Sequence, residues 1–427
     1  MPTSVFLGLD FGTTGARACV IAKNGEIEEF SRLDFGRLEP FEMAISWRSA
    51  LFDLLAGLPI GLRKRLSAIT IDGTSGTVLP CDEAFHPTHV PLLYNDARAR
   101  SEAEAIAQAS DKTHPAATAT SGLAKVLWLR QHHTAIQSRL FLNQTDWLTG
   151  LLSDIPGISD YHNALKMGFE PGESSWPDWV SKLTEPGTLP KVVAPGSPIG
   201  LVSRLRTRNL NIHQDCLIRA GTTDSIAAFL AAGINLPGEA VTSLGSTLVL
   251  KLISTRRVDD ARFGIYSHWF GQLWLAGGAS NAGGAVLRQH FSDNELTELS
   301  ERIDPNSDSG LDYYPLPCTG ERFPINDPGL LPRLEPRPAD PAHYLHGLLE
   351  GLANIEALGF AKLAELGATQ LTRVLSCGGG SGNPAYSRIR ERRLQVPVST
   401  AQYQEAAYGS ALLARSGTCL FPGVCHD

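Results

Sequence analysis

The chain has 427 residues, 43 % hydrophobic and 19 % charged, and a net charge of −7. That length fits two or three domains, and the composition is globular, not disordered. With an acidic balance and no long basic run, neither a nucleic acid nor an anionic membrane surface is an expected partner.

Seven cysteines are scattered along the chain, at 19, 81, 216, 318, 377, 419 and 425. No C-x-x-C or Cys/His ligand spacing appears, so neither a disulfide framework nor a zinc site is expected. Reduced, buried thiols in a cytoplasmic protein are the expectation. The N-terminus runs directly into a strand, without a basic leader. No apolar run approaches the roughly 18 residues of a membrane helix.

Residues 4–10, 15–23 and 26–35 read as three strands of a meander, and Asn24-Gly25 signals a type I′ hairpin turn. Trp47, Leu51, Leu54, Leu55 and Leu58 form the apolar stripe of an amphipathic helix over about 40–58. A β-branched strand follows at 67–72 and ends in Gly73-Thr74-Ser75-Gly76-Thr77, a hydroxyl-rich turn. Open α/β sheets hold ligands at such strand ends. Another strand, 77–81, precedes Tyr94-Asn95-Asp96-Ala97-Arg98. Helices are predicted over 98–110, 122–134 and 144–153, a loop at 161–164, and a Pro/Gly-rich surface connection at 171–200 with one short helix, 178–184. Strand 217–220 then leads through Gly221-Thr222-Thr223-Asp224 into a small apolar helix, 225–232.

Two stretches share one pattern. Leu7–Ile21 reads as strand, Gly/Thr turn, strand, with Asp10 ending the first strand. Backbone N–H groups and two hydroxyls at such a turn suit a phosphate, and the adjacent carboxylate suits a hard cation such as Mg²⁺. An ordinary hairpin is the competing reading. Residues 240–254 repeat strand, Gly/Ser/Thr turn and strand. The echo favours the phosphate cradle and implies two similar domains facing one cleft, with a nucleotide between them. The boundary should fall near 225–240, giving domains 1–228 and 229–427. Asp224 stands at a helix start, where the dipole favours its charged form; taken alone, plain N-capping is the simpler account of an Asp there.

The second half continues with a strand at 274 running into a Gly-rich loop, a proline-rich segment at 304–340, and a long helix over 341–366. Strand 374–377 ends in Gly378-Gly379-Gly380, which lets a flat ligand approach the backbone; a plain strand–helix turn is the alternative. An Ala-rich helix, 405–415, closes the chain.

Six segments in order carry a family resemblance: 9–14, 220–224, 243–247, 317–324, 346–351 and 376–381. The chain resembles the FGGY carbohydrate kinases over nearly its whole length. Ile71–Thr77 with Tyr94–Arg98 is most similar to a compact group of cyanobacterial and plant-plastid pentulose kinases that favour D-ribulose. The resemblance implies an α/β, two-domain actin/hexokinase/Hsp70-like (ribonuclease H-like) fold with a cleft between domains. It also implies transfer of the ATP γ-phosphoryl group to D-ribulose, with D-xylulose or another polyol as the alternative acceptor and a catalytically inactive ATP-binding regulator as the rival class.

The roles it implies are these. Asp224 accepts the proton of the attacking hydroxyl, and Asp10 holds Mg²⁺ through water. Gly12, Thr13, Thr14, Arg17, Gly245, Ser246 and Thr247 bind ATP phosphates, and Gly378, Gly379, Gly380 and Asn383 pack on the adenosine. Asp10, Ser75, Asn95, Asp96 and Asp224 contact sugar hydroxyls. A monomer or weak dimer is expected, because the chain is shorter than typical members.

Overall fold

The computed structural model describes residues 4–110, 114–133, 140–172, 175–185 and 187–423. It divides into two compact units, one comprising Met1–Ala231 with Glu405–Asp427 and the other Ala232–Gln404.

The first unit is built on a mixed sheet. Strands β1 (Val5–Phe11), β2 (Gly15–Ala22) and β3 (Ile27–Asp34) form an antiparallel meander, and β4 (Leu66–Gly73) pairs parallel with β1. Beyond them lie β5 (Pro198–Leu201) and β6 (Leu217–Arg219), in the order β3-β2-β1-β4-β6-β5, while β7 (Thr222–Thr223) also pairs with β4. Val5, Leu7, Leu9 and Phe11 alternate along β1 and are fully buried. They share one core with Trp47, Leu51, Leu54 and Leu55 of helix Met43–Gly57. Period two on the strand and 3.6 on the helix bring the two apolar faces together.

On the other face, helix Ala406–Ser416 crosses β1 at Gly8. A Cβ there would lie 2.1 Å from the Ala407 carbonyl oxygen, so only glycine permits the approach. This contact returns the C-terminal segment to the first unit. The domain division expected from the sequence instead runs the second domain from 229 to 427.

The second unit repeats the plan. β8 (Glu239–Leu244) pairs antiparallel with β9 (Leu248–Ser254) and parallel with β12 (Arg373–Cys377). With β10 (Tyr266–Phe270), β11 (Leu273–Ser280) and β13 (Val398–Thr400), the order is β10-β11-β9-β8-β12-β13. Helix Pro341–Glu365 starts with proline at its first turn, where no N–H is needed, and Asp340 caps it. Its Glu356 is fully buried and pairs with the equally buried Arg390 at 2.6 Å. Thr242 donates to Glu356 and Arg390 donates to Ser376, further hydrogen bonds of the kind a buried ion pair requires.

Several expectations change. Of Asn24-Gly25 only Gly25 takes positive φ (+91°), and Gly25 N–H donates to the Ala22 carbonyl. The connection is therefore a type I turn closed by a left-handed glycine, not type I′. Residues 161–164 are not a loop: Tyr161–Leu165 is a short helix, capped by Asp160, which accepts from the His162 and Asn163 N–H groups. The connection at 171–200 holds the expected short helix, Asp178–Leu183, and two strands that were not expected, Lys191–Val193 and Pro198–Leu201; its positions 173, 174 and 186 lie outside the described residues, as does the expected helix end at 134. Val78–Cys81 leaves the main sheet and pairs with Leu140–Asn143. Cys318 is exposed, and Cys419 is disulfide-bonded, contrary to the expectation of uniformly buried, reduced thiols. Cys425 lies outside the described residues. Among the described residues no helix is long and apolar enough to cross a membrane.

Candidate active site

In the first unit, strand register assembles the acidic residues. Asp10 lies opposite Asp72 in the parallel β1–β4 pair, and Asp72 lies opposite Thr222 of β7. Asp224 follows two residues later as the first residue of helix Asp224–Ala231. Three carboxyl groups therefore gather at the carboxyl ends of neighbouring parallel strands, where open α/β sheets bind ligands. Asp72 is fully buried. Burial, then the charges of Asp10 and Asp224, push its pKa well above the ordinary carboxylate range, while the Ser410 hydroxyl opposes the shift. Sequence reading passed over Asp72, because one Asp at a strand end carries no signal until its cross-strand neighbours are known.

Asp10 is buried, and its Oδ2 accepts from Arg17 Nη1 at 2.8 Å. Arg17 sits directly across the β1–β2 ladder from Asp10 and also lies 3.5 Å from Glu405. The arginine expected at phosphate thus rests on the carboxylate beside it. Thr13 and Thr14 are exposed at the turn, and Gly12 N–H closes the turn onto the Gly15 carbonyl. Asp224 is partly buried, and its Oδ1 accepts from the Ser225 N–H at 2.6 Å.

The Gly73–Thr77 turn is braced from below. Thr74 donates its N–H to Gln144 Oε1 at 3.0 Å, and its hydroxyl meets that of Thr77 at 2.6 Å. Ser75 Oγ is buried and has no hydrogen-bond partner among the described residues. A buried hydroxyl without a partner costs free energy, and a ligand hydroxyl would relieve that cost. Asn95 is exposed. Asp96 is engaged by Arg98, whose Nε donates to Oδ1 at 2.9 Å and to Oδ2 at 3.0 Å. Burial works against ionisation of Asp96, but the Arg98 side chain and N–H overcome it and hold the pKa below the ordinary range. Lys125 joins the two loops: its Nζ donates to the carbonyls of Gly76, Leu93 and Thr120.

In the second unit, the Gly245-Ser246-Thr247 turn joins β8 to β9. Gly284 N–H donates to the Gly245 carbonyl and Ala285 N–H to that of Ser246, which docks the turn on a glycine-rich loop. Exposed Arg288 donates to Ser246 Oγ at 2.9 Å; sequence reading did not single out this cation. Around Gly379 and Gly382 there is open space, whereas Gly380 packs on Leu244. Asn383, expected on the adenosine, makes two contacts of its own. Its Oδ1 caps helix Pro384–Leu394 through the Tyr386 N–H, and its Nδ2 donates to Ser300 Oγ at 2.8 Å. Asn before Pro at a helix start was the available signal.

Among the described residues no three His, Cys, Asp or Glu side chains converge to hold a metal ion by themselves. The acidic donor set still fits Mg²⁺, which keeps several waters and binds through one or two carboxylates together with substrate phosphates.

Residues 240–417 match the model of the FGGY family of carbohydrate kinases, C-terminal domain. Over that segment the chain is similar to the FGGY carbohydrate kinases. The chain is 22% identical to a xylulose kinase of Staphylococcus epidermidis, with 99% of the chain and 90% of that relative aligned. It is also 22% identical to a gluconokinase of Bacillus subtilis, covering 97% of the chain and 88% of the relative. Its fold matches the crystal structure of Plasmodium falciparum glycerol kinase with ADP at a TM-score of 0.84 and 17% identity, covering 99% and 91% of the two chains. The fold is the two-domain actin/hexokinase-like architecture that the resemblance implied.

Proposed function

We propose that this chain is an FGGY-type carbohydrate kinase that transfers the γ-phosphoryl group of ATP to a hydroxyl of a pentulose, with D-ribulose as the preferred acceptor. The observation that carries the reading is the gathering of Asp10, Asp72 and Asp224 at adjoining strand ends. Phosphoryl transfer requires positioning and charge neutralisation more than covalent chemistry by the protein. Asp224 accepts the proton of the sugar hydroxyl as its oxygen bonds to the γ-phosphorus, and the bond to the ADP oxygen breaks. Asp10, with water, would hold Mg²⁺, which supplies charge neutralisation on the phosphates. The exposed hydroxyls of Thr13 and Thr14, and the Gly245-Ser246-Thr247 turn with its Arg288, offer donors suited to phosphate. The Gly378-Gly379-Gly380 turn, open at Gly379 and packed on Leu244 at Gly378 and Gly380, is the adenosine side of the site. Ser75 Oγ, Asn95 and Asp96 are the sugar-side groups, with Asp96 already oriented by Arg98.

D-ribulose is favoured because Ile71–Thr77 with Tyr94–Arg98 resembles the compact ribulose-preferring group. D-xylulose is the second reading, supported by the xylulose kinase among the relatives. An inactive ATP-binding regulator is disfavoured because both Asp10 and Asp224 are present. An ADP-release assay over D-ribulose, D-xylulose, L-ribulose and gluconate decides among them. The highest kcat/KM is expected with D-ribulose; no stimulation by any pentulose would overturn the pentulose reading, and none by any of the four the kinase reading.

A further inference from the structure

Lys125 is a lysine with no exposed surface on helix Gly122–His132. Its ammonium has three N–H donors, and each has an acceptor: the Gly76 carbonyl at 2.7 Å, the Leu93 carbonyl at 2.6 Å and the Thr120 carbonyl at 2.9 Å. Gly76 follows Ser75, and Leu93 stands two residues before Asn95. One side chain therefore fixes both loops that carry the sugar-side groups. An aliphatic packing residue would remove the Lys125 donor from all three carbonyls, leaving that of Leu93 only the Asp96 N–H, and interiors avoid unpaired polar groups.

We propose that Lys125 is the positioning residue of the sugar site, its three-way ammonium contact setting how Ser75 and the Asn95–Asp96 segment present themselves to the acceptor. This inference rests on the sugar-site reading above. Lys125 touches neither phosphate turn, so its effect falls on the sugar and not on ATP.

The charge state matters to this role. An ammonium can satisfy all three carbonyls, whereas a neutral amine has one donor fewer. Burial pushes the Lys125 pKa down to about 7; Asp96 pulls it back up and Lys166 pushes it lower. These two are the charged groups facing it: Asp96 from the 93–98 loop, itself held by Arg98, and Lys166 from the segment after helix Tyr161–Leu165. The turn at 74–77 contributes no ionisable side chain.

The test compares wild type, Lys125→Met and Ser75→Ala with D-ribulose and D-xylulose as acceptors, measuring sugar KM, ATP KM and kcat across pH. In wild type the sugar KM should rise about tenfold between roughly pH 6.5 and 8.5 while the ATP KM stays level, since one hydrogen bond to a charged donor is lost. Lys125→Met should raise the sugar KM by at least about tenfold at the lower pH and abolish that pH dependence. A purely structural lysine would not leave a pH-independent sugar KM with ATP KM unchanged. If Lys125→Met does not fold, the wild-type profile decides, because a flat sugar KM overturns the inference. Ser75→Ala separates the two failures. Should it leave the sugar KM unchanged, the sugar-site reading falls. Should it raise the sugar KM while wild type shows no pH dependence and Lys125→Met retains wild-type sugar KM, the role of Lys125 alone is overturned.

Discussion

Ser410 Oγ donates to Asp72 Oδ2 at 2.6 Å, across 338 positions of sequence. Helix Ala406–Ser416 thus reaches back over β1 and supplies a donor to the buried carboxyl that lies between Asp10 and Asp224. The end of the chain is part of the acidic floor.

Two substitutions test that closure. Ser410→Ala removes the partner of a buried oxygen and should lower stability by about 1–3 kcal/mol. Gly8→Ala forces a methyl group into the Ala407 backbone and should cost about 4 kcal/mol or more, at the level that prevents folding. Urea unfolding with unchanged m-values reads both. A Gly8→Ala protein as stable as wild type would mean that the helix does not lie on β1.

Arg288 orients the Ser246 hydroxyl of the second Gly/Ser/Thr turn and adds a positive charge there. Arg288→Ala should raise the KM for ATP by about tenfold, the equivalent of one charge-assisted hydrogen bond. The sugar KM should stay within about twofold in the same initial-rate measurements, since the change is confined to the phosphate side.

Asp146 supplies a pH dependence of folding. It is buried, and its Oδ2 accepts from the Asn143 N–H and Nδ2. Burial first, and the neighbouring Asp160 second, push its pKa up to about 8. A folded-state pKa above the unfolded value contributes stability that is complete below about pH 4 and is lost as pH rises toward about 8. Asp146→Asn keeps an acceptor for Asn143 and removes the titration. Its Tm relative to wild type should therefore rise steadily between pH 5 and 8 in calorimetry; a constant difference would contradict the neutral-acid assignment.

Much of this was legible in the sequence where a pattern repeats. The meander at the start, its echo at 239–254 and the capped helix Gln144–Ser153 all carry a period or an end signal. Helix Tyr161–Leu165 has too few residues to show a period, and only Asp160 marked its start. Asn24-Gly25 announced the hairpin but not its turn type, because the bulge at Ile21↔Ile27 depends on pairing with β3. Asp72 and Lys125 were invisible for a common reason. Each sits in an apolar run, and its partners are residues that only the sheet register or helix packing brings near. Asn383 adds a contact the sequence did not show, since its Nδ2 reaches Ser300 while its Oδ1 caps its own helix.

The most direct measurement is single-turnover phosphorylation of D-ribulose by Asp224→Ala beside wild type, with sugar and ATP saturating. Loss of a general base predicts a fall in rate of about 10²–10⁴-fold with nucleotide affinity retained. Asp224→Ala protein that phosphorylates D-ribulose at the wild-type rate would contradict the account.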